Sequence, residues 1–413
     1  MPDVNFAPVN EQMDEIRRDT LEIVPEDELA RKLERSLKRG KPLVVKQGFD
    51  PTRPDLHIGH AVGLRKLRTF QELGHEVVFV VGDYTALIGD PSGRSDLRPQ
   101  LSEDEVRANS RTYAEQVYKV LARERTRIEY NSRWLAPLQL KDILRLTAHY
   151  TVARMLERDD FEKRFGENRP ISIVEFMYPL MQGYDSVALN ADVELGGADQ
   201  KFNLLVARDL QPRYGQEAQV CLLVPLMRGT DGVHKMSKSY DNYVGVADAP
   251  DQQFGRTMSI PDELLEEWYE LASGLQGDEL SGAIEAARAN PYQAKRRLGR
   301  LIVEQYHLAG AGEQAEEAFD ALFRRKEIPD EMPELDLSPG DPELGAHDGQ
   351  VLVSKLLVRA GLVSSNADAQ RQIQQGAVSI GGEKVADRMA RVPATGELVL
   401  QRGKRHFARV RFG

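Results

Sequence analysis

Cysteine is almost absent from this 413-residue chain, where Cys221 stands alone. One thiol excludes an internal disulfide framework and any zinc cluster built on several cysteines. Long apolar runs are missing too. No stretch approaches 18 residues and mean hydropathy is -0.47, which reads as a soluble chain without a membrane span. The N-terminal "MPDVNFAPVNEQMDEIRRDT" lacks the apolar segment of a secretory leader, so the cytoplasm is the expected compartment. Positive charge is also scarce: 55 Lys and Arg face 65 Asp and Glu, a net charge of -10. As an average, that balance argues against a phosphate-rich partner.

The average conceals an asymmetry. Residues 351–413 hold 11 basic residues against 4 acidic ones, or +7, which leaves -17 on the rest. An acidic body therefore carries a small basic tail domain.

Apolar runs predict strands at 42–49, 76–83, 126–130, 191–195 and 218–226, with helical patterns between them. That alternation is the mark of a mostly parallel sheet with crossover helices, an α/β domain over residues 1–246. Ser102 with Glu105 and Ser172 with Glu175 have the spacing of capping boxes at helix starts. From 247 to 327 amphipathic patterns such as "AKRRLGRLIVEQYH" replace the β-branched runs, so a helical domain is expected. Residues 328–350, with four prolines and many acids, read as a linker to the tail domain at 351–413.

Two polar segments carry the chemistry. In "DPTRPDLHIGH" (50–60), the strand ends at Asp50 and a helix begins near Ile58, which puts His57 and His60 at its N-terminus. Exposed amides and the positive dipole end favour phosphate there. Gly59 lets a flat group such as adenine approach the backbone, and imidazole N–H groups can meet charge developing on phosphate. The bland alternative is a pair of histidines capping a surface helix. A metal pair is weaker, because no third ligand stands at suitable spacing. The second segment, "MRGTDGVHKMSKSYDN" (227–242), combines Gly229 and Gly232 with Lys235 and Lys238. It suits a flap that closes over nucleotide phosphates, although lysines in a loop can equally be plain solvated charge.

A third segment, "SIVEFMYPLMQGYDSVALN", places Tyr178, Gln182 and Asp185 at i, i+4 and i+7 on one helical face, with Pro179 expected to bend the helix. A tyrosine, an amide and a carboxylate there can bind a zwitterion with a distal hydroxyl. An ordinary polar stripe has the same spacing.

"HIGH" followed about 175 residues later by "KMSKS" resembles the class I aminoacyl-tRNA synthetases. "YPLMQGYD", "GFDPTRPDLHIGH", "TALIGDPSG", "NSRW" and "ELGGADQKFN" extend the resemblance to the tyrosyl-tRNA synthetases along most of the chain. The resemblance implies a Rossmann-type catalytic domain that joins an amino-acid carboxylate to the α-phosphate of ATP, with Mg2+, and then transfers the aminoacyl group to tRNA. It assigns His57, His60, Lys235, Lys238 and Arg94 to catalysis, and Gly59, Gly196, Asp199, Lys238 and Ser239 to ATP. Asp50, Thr85, Asp90, Asn131, Tyr178, Gln182, Asp185 and Gln200 fall to the amino acid, tyrosine, with Asp185 taking its phenol. One check is independent of the family. Asp50, Thr85, Asn131, Gly196 and the lysine loop each follow the carboxyl end of a different predicted strand, where open α/β sheets bind ligands.

Two positions depart from the family pattern: Lys46 stands where a tyrosine is common, and Arg94 where a lysine is common. In the tail, residues 353–385 resemble the S4 RNA-binding module, an α+β unit. Lys355, Arg371, Lys384, Arg402, Lys404 and Arg405 are its candidate RNA contacts, against the alternative of a solvated basic surface. The expected partners are tyrosine, ATP, the tyrosine-accepting tRNA and a second copy of the chain, with no membrane and no structural metal. Tryptophan activation, a small nucleotidyltransferase and a non-catalytic RNA-binding relative remain as alternatives. The Tyr178–Gln182–Asp185 set, the extra domains and the intact histidines and lysines respectively disfavour them.

Overall fold

A computed structural model describes residues 6–92, 101–321, 332–403 and 406–413. Arg94, Lys404 and Arg405 lie outside the described residues. The chain forms two compact units, Met1–Glu316 and Glu317–Gly413.

The first unit is built on a six-stranded sheet: β1 (Glu22–Val24), β2 (Val44–Phe49), β3 (Glu76–Val81), β4 (Thr126–Tyr130), β5 (Val193–Gly197) and β6 (Val220–Val224). Their order is β1-β6-β5-β2-β3-β4, and every pairing is parallel except that of β1 with β6. β2, β3, β5 and β6 are largely buried, as parallel strands covered on both faces are, which made their apolar runs legible; the edge strand β4 is half exposed. The three-residue "EIV" of β1 is too short to show such a run, and only its antiparallel seat on β6 makes it a strand.

The strand order reverses at β2. The chain proceeds outward through β3 and β4, then returns to lay β5 against the other side of β2. That reversal opens a crevice at the carboxyl ends of β2 and β5, the place where such sheets bind ligands. Cys221, at the centre of β6, is fully buried and donates its thiol to the Leu204 carbonyl at 3.3 Å.

The helices after residue 250 do not form a core of their own. Ile260, Trp268, Leu298 and Ile302 belong to the same buried cluster as Val45, Leu64 and Val77. Residues 247–316 thus complete the hydrophobic core of the α/β body. No helix among the described residues is long and apolar enough to cross a membrane.

The second unit contains a five-stranded sheet in which Glu383–Lys384, Val378–Ile380, Gly396–Arg402, His406–Phe412 and Glu334–Leu337 are neighbours in that order, with helices Val353–Arg359 and Asn366–Gln374. Strand Glu334–Leu337 pairs in parallel with His406–Phe412. The expected linker therefore contributes its residues 334–337 to this sheet. Its prolines masked a four-residue strand whose partner lies about 75 residues downstream.

Candidate active site

Residues Ile58–Glu72 form a helix whose N-cap is His57 in an extended conformation. The cap is reciprocal: His60 N donates to His57 Nδ1, and His57 N donates to His60 Nδ1, each at 3.3 Å. The two rings stack with centroids 3.6 Å apart. Because each Nδ1 accepts, each neutral ring carries its proton on Nε2. Burial, then the nearby lysine charges, pushes His57 down to about 3; burial, then His57, pushes His60 well below its usual value. Near pH 7 the pair is thus two neutral N–H donors. Gly59 keeps this turn open: a Cβ would come within 3.1 Å of His57 Nδ1 and 3.4 Å of Met236, tight enough that the imidazole would have to shift.

A cavity of about 270 Å³ lies over these residues at the strand reversal. Of the sequence candidates, Asp50, His57, Gly59, His60, Thr85, Asp90, Tyr178, Gln182, Asp185, Gly196, Asp199, Gln200 and Lys235 line it. Asn131 lies behind the wall, and Lys238 and Ser239 are not among the described lining residues.

One end of the cavity is a closed hydrogen-bond network. Tyr178 donates its hydroxyl to Asp50 Oδ2 at 3.0 Å, Thr85 Oγ1 donates to Asp50 Oδ1 at 2.7 Å, and Asn131 Nδ2 donates to Thr85 Oγ1 at 3.0 Å. Gly82 makes room for this: a Cβ there would fall 2.1 Å from Asp50 Oδ1. Asp185 is buried and accepts from Trp134 Nε1 at 2.7 Å and Asn131 Nδ2 at 3.3 Å. Burial raises its pKa to about 7, against the opposing pull of Lys46 and of these two hydrogen bonds. The helix Ile173–Leu189 that carries Tyr178, Gln182 and Asp185 runs unbroken across Pro179, so the three stay together on the cavity side.

Also on the wall, Gln200 Nε2 donates to half-buried Asp90 Oδ2 at 2.8 Å, while behind it Lys46 and Glu194, each fully buried, pair at 2.7 Å. Lys46 thus settles on Glu194, the residue beside it in the β2–β5 register. Sequence reading missed Glu194, Trp134 and Tyr113. A signal existed for the first: the strands "VVKQGF" and "VELGG" each carry one charged residue, of opposite sign, in a largely buried run.

The opposite end is built from the loop after β6. Gly229 N donates to the His234 carbonyl and Met236 N to the Met227 carbonyl, so the loop folds back as a tight hairpin. It touches the histidine turn, where Ile58 N donates to the Val244 carbonyl and Val246 N to the Leu56 carbonyl. Lys235 reaches Asp199 at 2.6 Å and stays largely exposed. Lys238 is buried, donating to Tyr113 Oη at 3.1 Å and to the Arg53 carbonyl at 3.2 Å. Burial lowers its pKa to about 8.

Of the tail candidates, Lys355, Arg371, Lys384 and Arg402 are described. Arg371 is tied to Asp368 at 2.5 Å, while Arg409 and Arg411 are paired with Glu334 and Glu397. Much of the terminal strand's positive charge is thus already answered within the domain.

This cavity, with a buried carboxylate network at one end and neutral imidazoles plus lysines at the other, can hold a small zwitterion against a polyphosphate. A family model described as tRNA synthetases class I (W and Y) matches residues 38–324. A second, described as the tyrosine–tRNA ligase SYY-like C-terminal domain, matches 333–410. The chain belongs to the class I tRNA synthetases of the tryptophan and tyrosine group. Within it, the similar proteins are tyrosine–tRNA ligases: that of Geobacter sulfurreducens is 53% identical over 98% of this chain and 99% of its own length. That of Moorella thermoacetica is 51% identical over 97% and 96%. The chain is a member of that ligase family. Among solved structures, a tyrosyl-tRNA synthetase from Archaeoglobus fulgidus complexed with L-tyrosine superposes with a TM-score of 0.61 at 20% identity, covering 75% of this chain and 100% of that one. A C-terminally truncated mitochondrial tyrosyl-tRNA synthetase from Aspergillus nidulans gives 0.63 at 22%, covering 76% and 94%. At these identities both speak for the fold.

Proposed function

We propose that the cavity between β2 and β5 is the adenylation site of a tyrosine–tRNA ligase, with the network around Asp185 holding tyrosine and the His57–His60 pair meeting the phosphates of ATP. The chain activates tyrosine with ATP and transfers it to tRNA. In the first step a tyrosine carboxylate oxygen bonds to the α-phosphorus while the bond to the pyrophosphate oxygen breaks. The carboxylate is already ionised at pH 7, so no general base is needed; placement and charge stabilisation carry the step. Neutral Nε2–H donors suit it well, because they can bind an anion in the transition state without repelling the lysines nearby. Lys235 and Lys238 are the cations for the departing pyrophosphate, and each exchanges an internal partner, Asp199 or Tyr113, for phosphate oxygens. Mg2+ enters with ATP, held by the phosphates; among the described residues no group of three His, Cys, Asp or Glu side chains is placed to hold an ion.

The observation that carries the reading is Asp185: a buried carboxylate, already accepting from Trp134 and Asn131, at the wall of the cavity at the strand reversal. A phenol hydroxyl supplies it with a further donor, and phenylalanine does not. Tyrosine–tRNA ligases are themselves the familiar worked case of selection through such a contact. Asp199, Gly196 and Ser239 serve the nucleotide, and Asp90 with Gln200 serves the reacting end of tyrosine. The basic residues of 351–413 serve tRNA in the cytoplasm. A dimer is supported by Leu140, Leu144, Val152, Phe165 and Ile173, large apolar side chains that are 61–82% exposed within one stretch of the first unit.

ATP–pyrophosphate exchange across the amino acids tests this. Exchange with tyrosine alone is expected; exchange with tryptophan, or with none, ends the reading. Cutting the chain after Glu316 spares exchange within about twofold and lowers tRNA charging by at least roughly a hundredfold, since the phosphate contacts of the tail are lost. Equal loss of both activities contradicts the division of labour.

A further inference from the structure

Glu194 sits beneath the cavity floor and accepts from four donors. Lys46 Nζ, at 2.7 Å, and Gln182 Nε2, at 3.1 Å, share Oε1, while Ser186 Oγ, at 3.2 Å, and Gln219 Nε2 share Oε2. Lys46, Glu194, Ser186 and Gln219 are all fully buried, whereas Gln182 is partly open and lines the cavity. A carboxylate has no proton to give, so only the nitrogen end of the Gln182 amide can face it. The contact therefore decides which way the amide is flipped. With its nitrogen committed to Glu194, Gln182 offers its carbonyl oxygen, an acceptor, as its remaining polar atom.

We propose that the buried Lys46–Glu194 pair is a positioning device for substrate binding: it locks the Gln182 amide with its oxygen available to the ammonium group of the amino acid. The proposal rests on the placement of tyrosine given above, with its phenol at Asp185 and therefore its ammonium at the Tyr178 and Gln182 end of the same helix face. Isolated burial of an ion pair seldom adds stability, and replacing such a pair by apolar side chains of similar volume is often neutral or favourable for folding. A pair kept only for packing would be dispensable. This one has a task, because an apolar replacement leaves the Gln182 amide free to turn its N–H groups toward the ammonium, where they repel it. Lys46 neutralises the carboxylate, so that the ammonium is met by a neutral oxygen and not drawn down onto Glu194 itself.

The test uses the full chain and two ligands: tyrosine, and 3-(4-hydroxyphenyl)propanoate, which has the phenol and carboxylate but no ammonium. In the apolar pair Lys46→Met/Glu194→Met, the tyrosine KM in pyrophosphate exchange should rise about tenfold with kcat within about twofold, the loss of one hydrogen bond to a charged group. Inhibition by the deaminated analogue should change by less than about twofold. Glu194→Gln, which can still accept but can also donate, should fall between this pair and wild type, and it carries the test if the apolar pair does not fold. An unchanged tyrosine KM in either folded variant, or equal weakening of tyrosine and analogue, overturns the proposal. Gln182→Ala separates the two levels. If it raises the tyrosine KM and spares the analogue while the Glu194 variants do nothing, the ammonium placement stands and the positioning role falls. If Gln182→Ala itself leaves the tyrosine KM unchanged, the placement falls and takes the proposal with it.

Discussion

The two ends of the cavity are built on different principles. At the end proposed for the amino acid, Asp50, Thr85, Asn131, Tyr178, Asp185 and Trp134 are hydrogen-bonded to one another. At the end proposed for phosphate, Lys235 rests on Asp199, and Lys238 on a phenol and a backbone carbonyl. Discrimination between similar substrates needs donors and acceptors that cannot rearrange to suit the wrong one. Stabilisation of a leaving group needs charges that can follow it. The difference lies in the partners: side chains that satisfy one another at the first end, and at the second, lysines resting on a carboxylate, a phenol and a carbonyl that phosphate oxygens could replace.

Substitutions can break this contrast, and the largest effects belong to the phosphate end. Lys238→Ala and His60→Ala should each lower kcat for adenylate formation by roughly a hundredfold to a thousandfold, the usual result of removing one transition-state donor. Single-turnover rapid mixing should show the tyrosine KM moving less than about threefold. A change confined to the tyrosine KM would mean that the two ends are not separate. Asp185→Ala should cost about tenfold to a hundredfold in kcat/KM for tyrosine, the worth of a buried hydrogen bond to charge. It should narrow the preference over phenylalanine by a similar factor; unchanged discrimination would remove Asp185 from the phenol.

Acidity sharpens the same contrast. Asp185, raised to about 7, keeps its proton in the folded protein over an interval in which the unfolded chain has lost it. Its contribution to stability is complete below about pH 4 and disappears as pH climbs toward 7. His57, lowered to about 3, works the other way: the folded protein refuses a proton that the unfolded chain takes up, so stability is regained between about pH 3 and 6.5. Denaturant unfolding from pH 4 to 8 should show Asp185→Asn gaining on wild type as pH rises. Parallel curves would place that carboxyl's titration elsewhere. The smallest expected effect is a coupling: Thr85→Val and Asn131→Ala should be non-additive by about 0.5–3 kcal/mol, while Thr85→Val and Lys235→Ala should add.

Much of this was visible in the sequence. Four of the five parallel strands were legible because burial on both faces forces largely apolar runs, the edge strand β4 being half exposed, and the capping boxes at Ser102 and Ser172 form as spaced. "HIGH" and "KMSKS" gave the order of the two walls. What could not be read locally depends on distant partners. Lys46 looked like a departure of uncertain purpose until β5 brought Glu194 beside it, 148 residues away. Lys238 read as a mobile charge, and its burial against Tyr113 rests on a contact across 125 residues. The amphipathic segment after 247 suggested a separate domain because periodicity reports that a helix has an apolar face and says nothing of which core receives it.

The lone cysteine has a practical consequence. Burial at the centre of β6 pushes the Cys221 thiol up to about 12, so in the native protein it is neither ionised nor reachable. Reactivity belongs to the thiolate. A maleimide or disulfide reagent can therefore attack only after the sheet has opened, and with no second thiol to confuse the signal, its labelling rate is a clock for unfolding of the catalytic body. Run with and without tyrosine and ATP, that clock would read ligand binding as slowed labelling, without a single turnover being measured.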